Sequence, residues 1–119
     1  MPSSHRHERI AEGILHEISA MILGELKDPR IAGLVTVTAV RVSPDLRQAR
    51  VFVSVFGSEA EHASTLAGLA AAAGFIRREL GHRLQLRRSP ELHFVLDRSE
   101  EYGQRIEDLL RESKRPEES

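Results

Sequence analysis

The chain contains no cysteine and no tryptophan. Without thiols it can have no disulfide scaffold, no cysteine nucleophile, no cysteine-ligated zinc and no iron–sulfur cluster. Aromatic residues are scarce, four Phe and one Tyr in 119 residues, which argues against base stacking on exposed sheet aromatics as the main mode of recognition. No apolar run approaches the roughly 18 residues of a membrane-spanning helix. The opening MPSSHRHERIAEG lacks the apolar stretch of a signal peptide, so the expected location is cytoplasmic, with no membrane partner. Also missing are a P-loop, a GxGxxG turn, an HExxH helix and a GxSxG elbow. The six histidines (His5, His7, His16, His62, His82 and His93) fall into no zinc spacing, and neither a metal nor a cofactor is expected. The adjacent carboxylates Glu100 and Glu101 are accounted for by a helix start. Nothing in the sequence supports an enzyme.

What is present suits one domain with one core: 119 residues, 40% hydrophobic and 29% charged. The formal net charge is −1, but it is unevenly spread. Residues 1–26 carry −2, residues 27–88 carry +5, and residues 89–119 carry −4. The middle of the chain is basic between two acidic ends. Fifteen of the seventeen basic residues are arginine, the side chain better suited to bidentate phosphate contact.

Apolar periodicity then places the elements. Ile10, Ile14, Ile18, Met21 and Ile22 form one stripe of a surface helix over residues 7–26, which Lys27-Asp28-Pro29 ends. Residues 34–42 alternate as a strand, but the valines change phase between Val37 and Val40, which a bulge would absorb. Ser43-Pro44-Asp45 signals a turn, and residues 49–56 form a second strand with Val51, Val53 and Val55 on one face. The two strands are expected to pair as an antiparallel hairpin. Ser58-x-x-Glu61 is a capping box opening an alanine-rich helix to Ala73. Gly74 interrupts the pattern, a second helical segment runs over residues 75–80, and Gly81 is the expected C-cap. Residues 91–97 form a third strand with Leu92, Phe94 and Leu96 on one face, able to lie parallel to a hairpin strand. Ser99 is the expected cap of a last helix whose stripe is Tyr102, Ile106, Leu109 and Leu110. The sequence thus predicts an α+β domain of order α-β-β-α-α-β-α, a three-stranded sheet with helices on one face. The first and last helices are expected to cover the sheet, with the fold bounded by a flexible N-terminus (1–6) and a disordered tail (112–119).

The candidate functional residues are basic. Arg77, Arg78, Arg83, Arg87 and Arg88 crowd into twelve residues against the single acid Glu79. A solvated face and a phosphate-binding surface are about equally compatible with that run. Arg41, Arg47 and Arg50 on the hairpin would extend it if they share its side. Ala72-Ala73-Gly74 allows two readings: a glycine tolerated in a continuous helix, or a break whose freed donors face phosphate.

The element order is that of a type II KH domain, and the whole chain resembles the ribosome-binding factor A family. The likeness rests on Arg9-Ile10-Ala11, Lys27-Asp28-Pro29-Arg30, Val42-Ser43-Pro44-Asp45-Leu46, the strand Ala49 to Gly57, Gly74-Phe75-Ile76-Arg77, Leu86-Arg87, Ser89-Pro90-Glu91-Leu92 and Phe94. It implies a KH-like fold with an Ala-x-Gly helix kink in place of the GxxG clamp, here at Ala72, Ala73 and Gly74. It implies an assembly factor without catalytic activity, for which a monomer is the default expectation. Such a factor binds the small (30S) ribosomal subunit and 16S rRNA, assists late maturation including processing of the RNA's 5′ end, and supports growth in the cold. A GTPase or later factors are implied in its release. The residue-level reading alone leaves two rivals: a generic KH-like module for another RNA, and a protein-interaction module presenting Phe52 and Phe56.

Overall fold

The computed structural model of the protein describes residues 2–31 and 35–114. Helix α1 (Pro2–Gly24) leads through a 3-10 turn (Pro29–Ile31) into strands β1 (Val35–Val42) and β2 (Gln48–Val55). Helix α2 (Glu59–Arg83), strand β3 (Glu91–Leu96) and helix α3 (Ser99–Lys114) follow. The sheet order is β1-β2-β3, with β1 antiparallel and β3 parallel to β2.

The valines that change phase in β1 do so because of a bulge. Val37 pairs with Val53, and the next pair is Ala39 with Phe52, leaving Thr38 as the extra residue. The bulge keeps Val37 and Val40 facing the same core, and Thr38 turns its hydroxyl to Asp97 Oδ2 at 2.5 Å. The hairpin loop runs through Pro44 and Asp45 to Leu46, which takes a left-handed φ of 63°. Ser43 and Asp45 fix it: Asp45 accepts from the Ser43 hydroxyl (2.7 Å) and from the Arg47 N–H (3.0 Å).

One face of the sheet carries the core. Ala49, Val51 and Val53 are fully buried and meet Ile14, Ile18 and Met21 of α1 and Leu69, Ile76 and Leu80 of α2. Helix α1 lies mainly on β1, and α2 packs equally on β3 and on the 3-10 turn. Among the described residues of the last helix, none covers the sheet as expected. Arg105 to Glu112 of α3 are exposed, including Ile106, Leu109 and Leu110. Phe94, expected in the core, is half-buried at its margin.

The segment read as two helices is one. α2 runs unbroken through Gly74 and Gly81. The reason lies in its inner stripe: His62, Thr65, Leu69, Ile76 and Leu80 are buried, and half-buried Ala72 bridges the interval. These residues keep three- and four-residue spacing across Gly74, so the same face stays on the core throughout. An added Cβ at Gly74 would meet no atom within 4 Å. The order is therefore α-β-β-α-β-α, with the Ala-x-Gly segment inside a continuous helix.

The helix also ends later than Gly81. Gln85 adopts φ 53°, the Leu86 N–H reaches back to Gly81 O at 3.0 Å, and Leu84 is the cap residue. This is a glycine-type helix stop carried by glutamine. At the start of α3, Asp97 Oδ1 accepts the Ser99 N–H at 2.9 Å. Helix α1 starts at Pro2, and residues 112–114 close α3. Leu34 and residues 115–119 lie outside the described residues.

Candidate nucleic-acid interface

The five arginines of the basic segment do different things. Arg77 is a brace. Its guanidinium donates from Nε to Pro90 O and from Nη2 to Ser89 O, both at 3.0 Å, and the Ser89 hydroxyl returns a bond to Arg77 O at 2.7 Å. Arg77 thereby fixes the start of β3 against α2. Arg83 is the hub of an ion-pair network, with Glu25 at 2.5 Å, Glu79 at 3.2 Å and Glu17 at 3.3 Å. These hydrogen bonds, that to Glu25 foremost, raise its pKa, and Arg83 in turn lowers that of Glu25. Neither arginine is a free cation. The sequence shows only one acid within the segment, because Glu17 and Glu25 arrive from α1 and the turn after it.

Arg78, Arg87 and Arg88 are exposed and make no ion pair among the described residues. Arg78 stands one helical turn beyond Gly74 on the outer side of α2, where Gly74 is exposed and Ala72 and Ala73 are half-buried. Arg87 and Arg88 leave α2 and border a groove of about 570 Å³. Arg6 and Arg47 complete its cationic rim, while Ile10, Leu46, Leu86 and Pro90 supply apolar surface. Asp45 is the one acid among the lining residues. Its carboxyl sits below its usual pKa because it accepts from Ser43 and Arg47. Four arginines against one hydrogen-bonded carboxylate make this groove an anion-attracting concavity.

Arg6 and Leu46 belong to this groove although nothing in their sequence setting marks them. Arg6 comes from the first turns of α1, which His7 ties to the hairpin through a 2.7 Å contact between Nε2 and Pro44 O. Of the hairpin arginines only Arg47 joins the groove; Arg41 and Arg50 lie on the opposite face of the sheet, within a separate hollow. Phe56 is 77% exposed just beyond β2, whereas Phe52 is half-buried. Among the described residues no group of His, Asp and Glu is arranged to hold a metal ion. Among the described residues no helix is long and apolar enough to cross a membrane.

The family model of ribosome-binding factor A matches residues 6–110. A relative of that name from Acetivibrio thermocellus is 56% identical over 108 residues, covering 91% of this chain and 88% of its own. The crystal structure of ribosome-binding factor A from Thermus thermophilus superimposes with a TM-score of 0.61 at 32% identity, over 82% of this chain and 98% of that one. A homology model of the Thermus thermophilus factor, fitted into the cryo-EM map of a 30S–RbfA complex, gives 0.58 at 33% identity over 80% and 94% of the two chains. These structures share the KH-like α+β architecture described above. Matched in sequence along almost its whole length and in fold, the chain belongs to the ribosome-binding factor A family.

Proposed function

We propose that the protein is a monomeric, non-catalytic assembly factor. It binds the free small ribosomal subunit in the cytoplasm and assists late maturation of 16S rRNA, including processing of its 5′ end. The reading is carried by one observation, the arginine-rimmed groove on a chain of this family, and is supported by the 30S complex of a relative. Arg6, Arg47, Arg87 and Arg88 would take backbone phosphates, and the apolar floor would take ribose or base surface. Gly74 leaves the flank of α2 bare one turn before Arg78, so an RNA backbone can approach the helix closely there. Ala72 and Ala73 belong to that approach as part of the helix wall.

The mechanism is steric and electrostatic. A protein that neutralises phosphates on immature RNA holds one arrangement of it until pairing is correct, and a competing event, a GTPase or a later factor, releases it. Support of growth in the cold follows, since misfolded RNA escapes more slowly at low temperature.

Co-sedimentation with separated ribosomal subunits tests this. The expected result is binding to the small subunit and not to the large one. The double variant Arg87→Glu, Arg88→Glu should bind at least tenfold more weakly with a shallower dependence on salt, by about 0.7–0.9 log units per log salt for each phosphate that is no longer neutralised. Equal binding to both subunits would favour a generic RNA module, and wild-type binding by the folded double variant would remove the groove from the interface.

A further inference from the structure

The face of the sheet turned away from the helices carries a cationic row that the groove does not use. Register places Arg41 of β1 directly opposite Arg50 of β2, and Arg50 beside His93 of β3. All three are exposed. Like charges directly opposite across an antiparallel pair destabilise it. Neither arginine has an acidic partner among the described residues. Glu91, on the same face, lies 3.7 Å from His93, and Asp97 is engaged by Thr38 and the Ser99 N–H. The row borders a shallow hollow of about 590 Å³, where Ser43, Gln48 and His93 add polar groups.

The next row along the same face is Ala39, Phe52 and Val95. Phe52 is two residues from Arg50, so the two side chains leave the sheet about 7 Å apart. Two uncompensated arginines beside an aromatic ring on an open sheet are the elements with which sheets hold single-stranded nucleic acid, phosphate on the cations and base on the ring. A protein partner would have to place its own carboxylates on both arginines, whereas an RNA strand carries a phosphate at every nucleotide.

We infer that this open face is a second RNA contact: a platform for an unpaired strand, with Arg41 and Arg50 on backbone phosphate and Phe52 under a base. The inference rests on the RNA-binding reading above and adds a surface to it. Because the groove and the platform lie on opposite sides of the sheet, the protein would bridge two RNA segments.

The test uses the full chain and a uridylate dodecamer, with affinity followed by fluorescence anisotropy across a salt series. Arg50→Glu converts the like-charged pair into an attractive one, so its melting temperature should equal or exceed that of the wild type. Should that variant fold poorly, Arg50→Gln replaces it. Its affinity should fall at least tenfold, with a slope shallower by about 0.7 for each phosphate left without its cation. Phe52→Leu should lose about tenfold at unchanged slope, since stacking carries no charge. Wild-type affinity and slope for Arg50→Glu, or a wild-type protein that sediments with small subunits yet does not bind the dodecamer, would overturn the platform. Loss of small-subunit binding by Arg50→Glu with dodecamer affinity intact would overturn it too, pointing to a ribosomal protein as occupant. Failure of the wild type to sediment with small subunits would instead overturn the proposed function.

Discussion

Gly68 and Gly74 are six residues apart in one helix, yet the same substitution should move them in opposite directions. Alanine is favoured over glycine inside a helix by about 0.8–1 kcal/mol, partly because it restricts the unfolded chain. At Gly74 the new methyl would have no heavy atom within 4 Å, so Gly74→Ala should realise nearly all of that gain. For a domain of this size about 1 kcal/mol corresponds to a rise in melting temperature of about 4 °C. At Gly68 the added Cβ would lie 2.9 Å from Ile31 Cγ1 and 3.0 Å from Arg30 Cβ. Neither neighbour yields readily. Ile31 is 4% exposed in the core, and Arg30 is held by a bidentate pair with Asp28, Nε at 3.0 Å and Nη2 at 2.6 Å. Overpacking of this kind costs about 1–3 kcal/mol, so Gly68→Ala should be neutral to about 2 kcal/mol destabilising. Urea titrations and thermal melts of the two variants, with unchanged m-values, measure the difference. A less stable Gly74→Ala would show that the helix does not run straight through that position in solution. A Gly68→Ala variant as stable as Gly74→Ala would refute the tight seat of the 3-10 turn on α2.

Arg77→Lys keeps the charge but loses the fork that reaches two carbonyls. It should cost about 1–3 kcal/mol in denaturant melts while leaving small-subunit binding unchanged, and the reverse pattern would make Arg77 an RNA contact rather than a brace. Two of the lowered carboxyls are paired with arginines whose replacement isolates their share of the acid sensitivity. The Arg30 side chain and N–H hold the Asp28 carboxyl down to about 2, and the hydrogen bond from Arg83 lowers Glu25. A carboxyl depressed in the folded state contributes stability that is complete above its unfolded pKa and is lost as pH falls through the folded one. Melting temperature should therefore be level above about pH 5 and fall from about pH 4 towards pH 2. Arg30→Gln should flatten the lower part of that fall and Arg83→Gln the upper part, and wild-type pH profiles for both would show that these pairs do not stabilise the fold.

Much of the fold is legible in the sequence because it is written in periodicity. The stripe of Ile14, Ile18 and Met21 marks the buried side of α1, and the phase change between Val37 and Val40 marks the bulge at Thr38. The capping box at Ser58 and Glu61 is present with both of its bonds. Three features could not be read this way. A glycine within a helical pattern looks the same whether its missing Cβ faces solvent, as at Gly74, or another element, as at Gly68. A left-handed residue is signalled by glycine or asparagine, and the chain places Leu46 and Gln85 there instead. Above all, a count of charges along the chain does not say which are already paired. Arg83 reaches acids 58 and 66 residues away in sequence, while Arg41 and Arg50 become neighbours only through strand register. Alternation alone puts those two arginines opposite the valines, but only the pairing sets them side by side.

The bond from Arg77 to the carbonyls of Ser89 and Pro90 marks where α2 draws level with the start of β3. The helix nevertheless continues to Arg83, another six residues or about 9 Å. A chain that overshoots its next strand has to come back, and residues 84–90 are the way back. That return is what sets Leu86, Arg87 and Arg88 against Arg6 and Ile10 of α1 and builds the wall of the groove. The groove is thus a product of length mismatch between one helix and the strand that follows it. The same six residues carry Leu80, fully buried in the core, so the overshoot that gathers the arginines is also part of what holds α2 on the sheet.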